Sequence, residues 1–290
     1  MKVGLQINRF TWPNEPQSIS ETLTKIATTA DKGGFSSLWV MDHFFQIGHI
    51  GESEEPMLEA YTTLGFLAGI TKNVTLGTMV TGVIYRNPAL LAKIITTLDV
   101  LSKGRAYLGI GAAWNEEESL ALGFDFPPIK IRFEQLEDVL QLVNQMWKDD
   151  DKEFKGKQFT LPRPMNHPQA ITRPHPPILI GGGGEKKTLR LVAQYADACN
   201  LFVQAGDEEV IRKLDILKQH CKDVGRNYND IEKTTLYQIR EAVDPKKVIN
   251  DLKHIHKLGF SHVILGIRNV NEIEPVKIIA EKVIPQVSKL

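Results

Sequence analysis

The sequence predicts an α/β fold, a (β/α)8 TIM barrel that forms one domain over residues 1–290. Eight short runs rich in β-forming residues alternate with eight longer segments of helical periodicity, the pattern of parallel strands joined by helices. Eight such units in 290 residues match the usual size of a (β/α)8 barrel. A doubly wound open sheet, which also alternates strands and helices, is the alternative fold.

The predicted strands and helices can be placed along the chain with their boundary signals. We expect strands at 2–7, 36–41, 74–80, 105–111, 177–181, 198–203, 233–240 and 261–267. We expect helices at 18–32, 57–71, 88–102, 131–148, 185–196, 207–223, 245–258 and 272–287. Ser18 and Glu21 form a capping-box pattern before the first helix, and Pro88 and Pro245 stand where prolines begin helices.

The regular spacing is interrupted once, between the fourth helix and the fifth strand. Residues 149–177 are rich in proline and charge, and a loop of this length in a compact domain is usually functional or disordered. We therefore expect an insertion at the barrel mouth. A plain surface excursion is the alternative.

The composition excludes several classes of partner. Lys plus Arg number 35 and Asp plus Glu number 35, so no overall charge favours nucleic acid or an anionic membrane. The segment VGLQI begins at residue 3, which leaves no room for a signal peptide, and no apolar run reaches the length of a membrane span. Cys199 and Cys221 lack metal-ligand spacing and fit a reducing compartment. We expect a cytoplasmic protein with no metal site, no nucleic-acid partner and no membrane partner.

Four consecutive glycines, Gly181 to Gly184, follow the fifth predicted strand. The P-loop pattern does not fit, because two residues separate the glycines from Lys187, and the dinucleotide fingerprint lacks its later acidic residue. Glycines after a strand nevertheless let a ligand approach the main chain, and the next helix offers N–H groups to an anion. The segment therefore predicts an anion-binding site.

Chemistry in a (β/α)8 barrel gathers at the carboxyl ends of the strands. Asp42 and His43 end the second predicted strand, where a histidine beside an aspartate can donate or accept a proton near neutral pH. The alternative is a hydrogen-bonded pair that only fixes the loop. The segment GIGAAWNEEE, at 109–118, follows the fourth strand, and its small residues either let a flat ring approach the backbone or serve packing alone. No H-E-x-x-H or G-x-S-x-G pattern indicates metal or serine chemistry.

Five longer motifs stand in order along the chain: WVMDHF, LGTMVTGVIYRNPALLAK, GRAYLGIGAAWNEEES, GFDFPP and PPILIGGGGEKKTLRLVAQYAD. In order and spacing they resemble the luciferase-like monooxygenase superfamily, and within it the branch of coenzyme F420-dependent oxidoreductases. The resemblance covers nearly the whole chain. It implies a (β/α)8 barrel that binds a deazaflavin or flavin at its carboxyl-terminal mouth, with an insertion that helps to cover the cofactor.

The resemblance also implies roles for individual residues. His43 would be the catalytic proton donor or acceptor, and Asp42 would orient it or the cofactor. The implied cofactor-binding residues are Met79, Val80 and Thr81 after the third strand, Gly111, Ala112 and Asn115 after the fourth, and Gly182, Gly183, Gly184 and Glu185 at the cofactor phosphate. Relatives carry a non-prolyl cis peptide behind the ring, which here would join Met79 to Val80.

The implied reaction is hydride transfer between C5 of F420 and a small organic substrate. The alternatives are an FMN-dependent monooxygenase that uses reduced flavin and oxygen, a non-catalytic flavin-binding protein, and an unrelated barrel enzyme that binds a substrate phosphate at the glycines. Relatives that oxidise a sugar phosphate carry a glutamate in the turn where this chain has Ala112, Ala113 and Trp114, which weakens glucose 6-phosphate as the substrate. We expect a homodimer.

Overall fold

Eight parallel strands close into a barrel in the computed structural model, which describes residues 1–290. The strands are β1 (Lys2–Ile7), β2 (Ser37–Val40), β3 (Thr75–Thr78), β4 (Ala106–Gly111), β5 (Ile178–Gly181), β6 (Ala198–Asn200), β7 (Glu232–Ile239) and β8 (His262–Ile267). Neighbours in chain order pair with one another, and β8 pairs with β1. Leu76 beside Ala106 joins β3 to β4 and completes the ring. The (β/α)8 barrel is confirmed, and the open sheet is excluded.

Helices surround the barrel and follow the strands in turn. They are α1 (Ile19–Lys32), α2 (Ala60–Ile70), α3 (Pro88–Ser102), α4 (Ile129–Trp147), α5 (Thr188–Tyr195), α6 (Asp207–Asp223), α7 (Pro245–Lys257) and α8, which runs through the consecutive pieces Glu274–Ile278, Ile279–Val283 and Ile284–Val287. A short helix, Glu116–Ala121, stands between β4 and α4, and a small hairpin of Phe154–Lys155 with Thr160–Leu161 stands between α4 and β5. No helix combines the length and the apolar character that a bilayer crossing requires.

The core lies mainly between the strands and the helices. Strand β8, with the sequence HVILGI, is buried along its whole length, which is typical of a parallel strand covered on both faces. Helix α7 buries Val248, Leu252 and Ile255, which share one face at helical spacing. A smaller apolar cluster inside the barrel consists of Trp39, Met79, Tyr107, Leu179, Ala198 and Ile264. Because Met79 also follows the end of β3, this inner packing supports the barrel mouth from below.

Three of the eight helices, α2, α3 and α7, begin at a residue whose side chain caps the first turn. Asp244 accepts hydrogen bonds from the N–H groups of the first turn of α7, directly before Pro245, and Asn87 does the same for α3. The predicted capping box of Ser18 and Glu21 is wrong. Ser18 Oγ donates instead to the carbonyl oxygen of Pro13, at 2.6 Å, and makes no bond to the first turn of α1.

The insertion at 149–177 does lie between α4 and β5, but the expectation that it covers the barrel mouth is wrong. Connections from a helix to the next strand lie at the amino-terminal face of such a barrel, opposite the mouth. Asp138 on α4 accepts a hydrogen bond of 2.9 Å from the N–H of Lys157. Asp99, near the end of α3, accepts one of 2.9 Å from the N–H of Thr172. The segment therefore packs along α3 and α4, on the outside of the barrel.

The main chain after β3 passes close to β4 and β5 because glycines face it. A Cβ atom at Gly109 would lie 1.9 Å from the carbonyl oxygen of Thr78. Cβ atoms at Gly111 and Gly181 would lie 3.1 and 2.9 Å from Cγ2 of Val80. These three positions therefore leave no room for a larger residue without movement of the strands.

We predict that Gly109→Ala destabilises the protein by about 1–3 kcal/mol, because the added methyl group must push β4 away from Thr78. Gly65→Ala in α2 is the matched control, since a Cβ atom at Gly65 meets nothing within 4 Å. Alanine there should be neutral or stabilising by up to about 1 kcal/mol. Urea denaturation measures both free energies of unfolding, and a Gly109→Ala protein as stable as the wild type would contradict the prediction.

Candidate active site

The carboxyl-terminal mouth of the barrel contains a cavity of about 840 Å³. Its apolar lining residues are Met41, Ile47, Ile50, Met79, Trp114, Phe202, Leu236 and Ile239, and its polar ones are Gln6, Asn8, Arg9, His43, His49, Gln204, Gln238, Arg240 and Arg268. No aspartate or glutamate lines it. A cavity of this size that combines apolar surface with convergent polar groups is the usual form of a cofactor or substrate site.

A buried carboxylate holds His43 in this cavity. His43 Nδ1 lies 2.7 Å from Oε2 of Glu118. The Glu118 side chain is inaccessible to solvent, whereas 13% of the His43 side chain is exposed. Because an ionised carboxylate can only accept, Nδ1 carries the hydrogen, and Nε2 is the ring nitrogen without a protein partner. The imidazole can therefore exchange a proton with a molecule in the cavity through Nε2.

Glu118 accepts hydrogen bonds from four groups in all. Besides His43, they are the N–H groups of Phe44 and Phe45 and the hydroxyl of Tyr85, which lies 2.9 Å from Oε2. Burial by itself would raise the pKa of Glu118, but the hydrogen bonds from His43 and the main chain outweigh it and lower that pKa. Glu118 is therefore an anion near neutral pH, and it fixes the ring orientation and tautomer of His43.

Asp42, next to His43 in sequence, binds a different partner. Arg86 donates two hydrogen bonds to its carboxylate, at 2.6 and 2.9 Å, and a third of 2.6 Å to Glu59. Only 2% of Asp42 is exposed, and burial raises the pKa of its carboxyl against the opposing effect of Arg86. The carboxylate that holds His43 is therefore Glu118, not the adjacent Asp42 that the sequence favoured.

The predicted residues after β3 divide between the cavity and the barrel wall. Met79 lines the cavity, and the Met79–Val80 peptide bond is cis, as the resemblance implies. Val80 lies against the glycines that end β4 and β5. Thr81 is fully buried, and its hydroxyl lies 2.6 Å from that of Tyr61. The Thr81 side chain thus contributes to the wall, whereas Met79 faces the cavity.

The turn after β4 is fixed by a side chain from outside it. Gly111 is the last residue of β4, and Arg132 on α4 donates a hydrogen bond of 3.1 Å to the carbonyl oxygen of Ala112. Arg132 also bonds the carbonyl oxygen of Ala113, which has a φ of 60°. These contacts hold a turn of small residues in one shape beside the cavity.

Asn115 determines where Glu118 lies. Its Oδ1 accepts a hydrogen bond of 3.2 Å from the N–H of Glu118, which caps the short helix. The cap fixes the start of the helix and therefore the position of Glu118 in its first turn. Trp114, 59% exposed, places its ring edge-on to His43 with 5.3 Å between ring centroids. The turn after β4 thus supplies both the carboxylate that holds His43 and an aromatic neighbour of its ring.

The glycine run after β5 presents main-chain N–H groups that have no partner in the protein. Gly182 has a φ of 108°, which favours glycine. Helix α5 begins only at Thr188, and the N–H groups from Gly182 to Lys187 make no hydrogen bond. Lys213 on α6 donates a bond of 2.7 Å to the carbonyl oxygen of Gly183, and its ammonium group pairs with Glu209 at 3.2 Å. This arrangement fits an anion.

The remaining predicted residues lie around this run or behind the cavity lining. Gly184 is exposed, and the carboxylate of Glu185 pairs with Arg212 on α6.

Of the residues expected at the site, His43 and Met79 line the cavity directly. We did not predict Glu118, Tyr85 or Arg86 from the sequence. A signal for Glu118 was present, since an N-cap Asn115 followed by glutamate three residues later is a capping-box pattern.

These features define a class of protein: a (β/α)8 barrel with a fixed histidine at its mouth and unpaired main-chain N–H groups after β5. The comparison with known families makes this assignment specific. Residues 1–262 match the family model of the luciferase-like monooxygenases, and the chain belongs to that family.

The names of individual relatives mention different cofactors. The chain is 28% identical over 247 residues to an F420-dependent glucose-6-phosphate dehydrogenase of Amycolatopsis mediterranei (strain U-32), covering 82% of this chain and 71% of the relative. It superimposes on an F420-dependent secondary alcohol dehydrogenase in complex with an F420-acetone adduct with a TM-score of 0.82 and 19% identity, over 99% and 98% of the two chains. The oxygenating constituent of 3,6-diketocamphane monooxygenase of Pseudomonas putida, in complex with FMN, gives a TM-score of 0.77 and 16% identity, over 99% of each chain. At these identities the structural likenesses show a shared fold.

The lowered pKa of Glu118 leads to a prediction about acid stability. Its ionised form contributes stability above the unfolded pKa of about 4.3, and this contribution disappears as the pH falls through the lower folded value. Glu118→Gln should therefore be less stable than the wild type near neutral pH, and the difference in free energy of unfolding should shrink below about pH 4. Glu116→Gln, an exposed residue of the same helix, is the control. A difference that stays constant with pH would show that the charge of Glu118 is not what stabilises the fold.

Proposed function

We propose that this protein is an oxidoreductase that transfers a hydride between C5 of coenzyme F420 and a small organic substrate. The observation that carries the proposal is the imidazole of His43, fixed by buried Glu118 and open to the cavity through Nε2. Interconversion of an alcohol and a carbonyl compound needs a proton donor or acceptor as well as a hydride carrier. The F420-dependent relatives support the choice of carrier.

The residues present fit such a cofactor. The unpaired N–H groups from Gly182 to Lys187, together with Lys213, suit a phosphate. Met79 and the small turn at Gly111 and Ala112 suit the flat, mostly apolar ring system. When bound, F420 supplies two-electron hydride chemistry, and the protein supplies position and polarity.

In this proposal each group at the mouth has a defined task. His43 Nε2 takes the hydroxyl proton of an alcohol or returns it to a carbonyl oxygen. Glu118 is a positioning residue, because it keeps the hydrogen on Nδ1 and stabilises the imidazolium that forms when Nε2 accepts a proton. Asp42, bound by Arg86, positions the end of β2 from which His43 projects.

A monooxygenase that uses reduced FMN and oxygen is the second candidate, favoured by the likeness to the FMN-bound diketocamphane enzyme. It would use the same anion site, so the glycine run does not separate the two. A non-catalytic flavin-binding protein has no need of the Glu118–His43 pair, which argues against that alternative.

The homodimer expected from the sequence belongs to the proposal as well. Helices α2 and α3 pack against each other and carry exposed apolar side chains. Phe66 is 40% exposed, Leu90 53% and Leu101 69%. Leu90 and Leu101 are eleven residues apart and so lie on one face of α3. A second copy of the chain would cover these side chains.

The cofactor is tested by titrating the purified protein with F420 and with FMN. We expect F420 to bind at least about 10-fold more tightly, a difference of about 1.4 kcal/mol, as followed by the absorption and fluorescence of each cofactor. Selective binding of FMN would overturn the F420 assignment and support the second candidate.

A variant of the glycine run serves as the internal control of this titration. Gly183→Asp places a negative charge among the N–H groups, with its Cβ 3.1 Å from Lys213 Nζ. The loss of two charge-assisted hydrogen bonds should weaken F420 binding by roughly 100-fold to 10,000-fold. The deazaflavin analogue that lacks the phosphate should bind almost as it does to the wild type. Equal losses for the two ligands would assign the glycines to packing rather than to phosphate binding.

We predict that His43→Ala lowers the rate of hydride transfer by about 100-fold or more, while leaving F420 affinity largely unchanged. Single-turnover kinetics with an accepted substrate measure the rate. The matched control is His49→Ala, since His49 lines the same cavity and has no carboxylate partner. An equal effect of the two variants, or no effect of His43→Ala, would contradict the role of His43.

A further inference from the structure

The cavity at the barrel mouth is lined by three arginines and by no acidic residue. Arg9 is already neutralised, because Glu55 accepts hydrogen bonds of 2.9 and 2.7 Å from its guanidinium. Arg240 and Arg268 form no ion pair within the chain. The cavity therefore holds two positive charges that the protein itself leaves unmatched.

These two arginines stand next to each other. Arg240 directly follows β7 and Arg268 directly follows β8, and the N–H of Arg268 donates a hydrogen bond of 3.1 Å to the carbonyl oxygen of Ile239. Both are exposed residues of the cavity lining. Two like charges on adjacent strand ends repel each other, and an anion bound between them would relieve that repulsion.

The phosphate of the proposed cofactor does not account for this pair. The glycine run follows β5, carries its own unpaired N–H groups and has Lys213 beside it. Strand β6 lies between β5 and β7, which separates the glycine run from the arginines around the barrel. The arginines are therefore available to a different anion.

The surroundings of the pair suit a small polar ligand. Gln6, Gln238 and Asn8 line the same side of the barrel, on β1, on β7 and just after β1. Their amides can donate to and accept from hydroxyl groups. Leu236 and Ile239 on β7 also line the cavity and add apolar surface beside these polar groups.

We propose that Arg240 and Arg268 bind an anionic group, a carboxylate or a phosphate, of the organic substrate. The proposal rests on the proposed function. In the oxidation direction the carbinol C–H bond breaks, its hydride reduces C5 of oxidised F420, and the hydroxyl proton passes to His43 Nε2 as the carbonyl forms. The anionic group takes no part in the bond changes and serves only to hold the substrate.

The site itself can be tested without turnover. Inorganic phosphate is titrated calorimetrically into the wild type, R240Q/R268Q and K253Q, whose Lys253 is exposed on α7 outside the cavity. The heat of phosphate binding at one site should be absent from R240Q/R268Q and present in K253Q. Any heat of binding that remains in R240Q/R268Q is assigned to phosphate bound at the glycine run. Identical heats for the wild type and R240Q/R268Q would overturn the proposal.

Turnover distinguishes the two possible sources of the anion. F420 reduction is measured with glucose 6-phosphate against glucose, and with lactate against 2-propanol. In one of the two pairs, we expect the anionic substrate to have a kcat/KM at least about 10-fold higher than that of the neutral substrate. We expect R240Q or R268Q to remove this preference, mainly by raising the KM for the anionic substrate. R240K should retain more of it than R240Q, because the charge is kept.

The outcomes separate this proposal from the proposed function. Reduction of F420 by neutral and anionic alcohols at equal kcat/KM would leave the function standing and reject the anion site. Failure of F420 to bind, combined with phosphate heat that depends on Arg240 and Arg268, would reject the function and keep the anion site.

Discussion

The carboxylate of Glu118 is the contact on which the architecture of the mouth depends. It accepts hydrogen bonds from His43 and the N–H groups of Phe44 and Phe45 after β2, and from Tyr85 after β3, while it belongs itself to the helix after β4. Three successive strand-to-helix loops therefore meet at one buried anion. Leaving such a buried group without its partners typically costs about 3–5 kcal/mol, because an uncompensated charge is left behind.

An aromatic cluster keeps this anion dry. The rings of Phe44 and Phe124 stack with 5.5 Å between centroids, and Tyr85 packs 5.2 Å from Phe44 and 5.3 Å from Phe124. Low local polarity strengthens the hydrogen bonds to Glu118, and those bonds in turn make its burial tolerable. A parallel arrangement stands beside it, where Arg86 joins Asp42 to Glu59 and lies 4.5 Å over the ring of Tyr61. Each network couples an ion to an aromatic ring, and both fix the loop that follows β2.

The barrel could be predicted from the sequence because its signals are local. Apolar runs such as HVILGI predict buried strands, and amphipathic segments such as α7 predict helices. The alternation of these segments along the chain predicts the topology. The position of His43 at a strand end could be predicted from the same local patterns. Its partner could not be predicted in this way, since Asp42 is adjacent in sequence while 75 residues separate His43 from Glu118. Only the closure of β2 to β4 around the barrel brings that glutamate close.

The error over the insertion at 149–177 has a topological cause. The sequence shows that the segment is long and polar, but its side of the barrel follows from its position before a strand rather than after one. Side-chain anchors then hold it there, as Asp99 and Asp138 bind its main-chain N–H groups on the outer helices. The loops that do build the mouth are those after β2 and β4, which supply His43 and Glu118.

The charge of the mouth shows most clearly what a composition cannot reveal. The chain has equal numbers of acidic and basic residues, so its formal net charge is zero. Four acidic groups of the loops at the mouth are nevertheless engaged: Glu118 with His43, Asp42 and Glu59 with Arg86, and Glu55 with Arg9. A paired charge has little effect at a distance, whereas unpaired guanidinium groups in a concave, partly apolar cavity exert a strong local field. The protein is thus neutral as a whole, whereas the cavity at its mouth is lined by basic side chains and by no carboxylate, because these four carboxylates position loops instead.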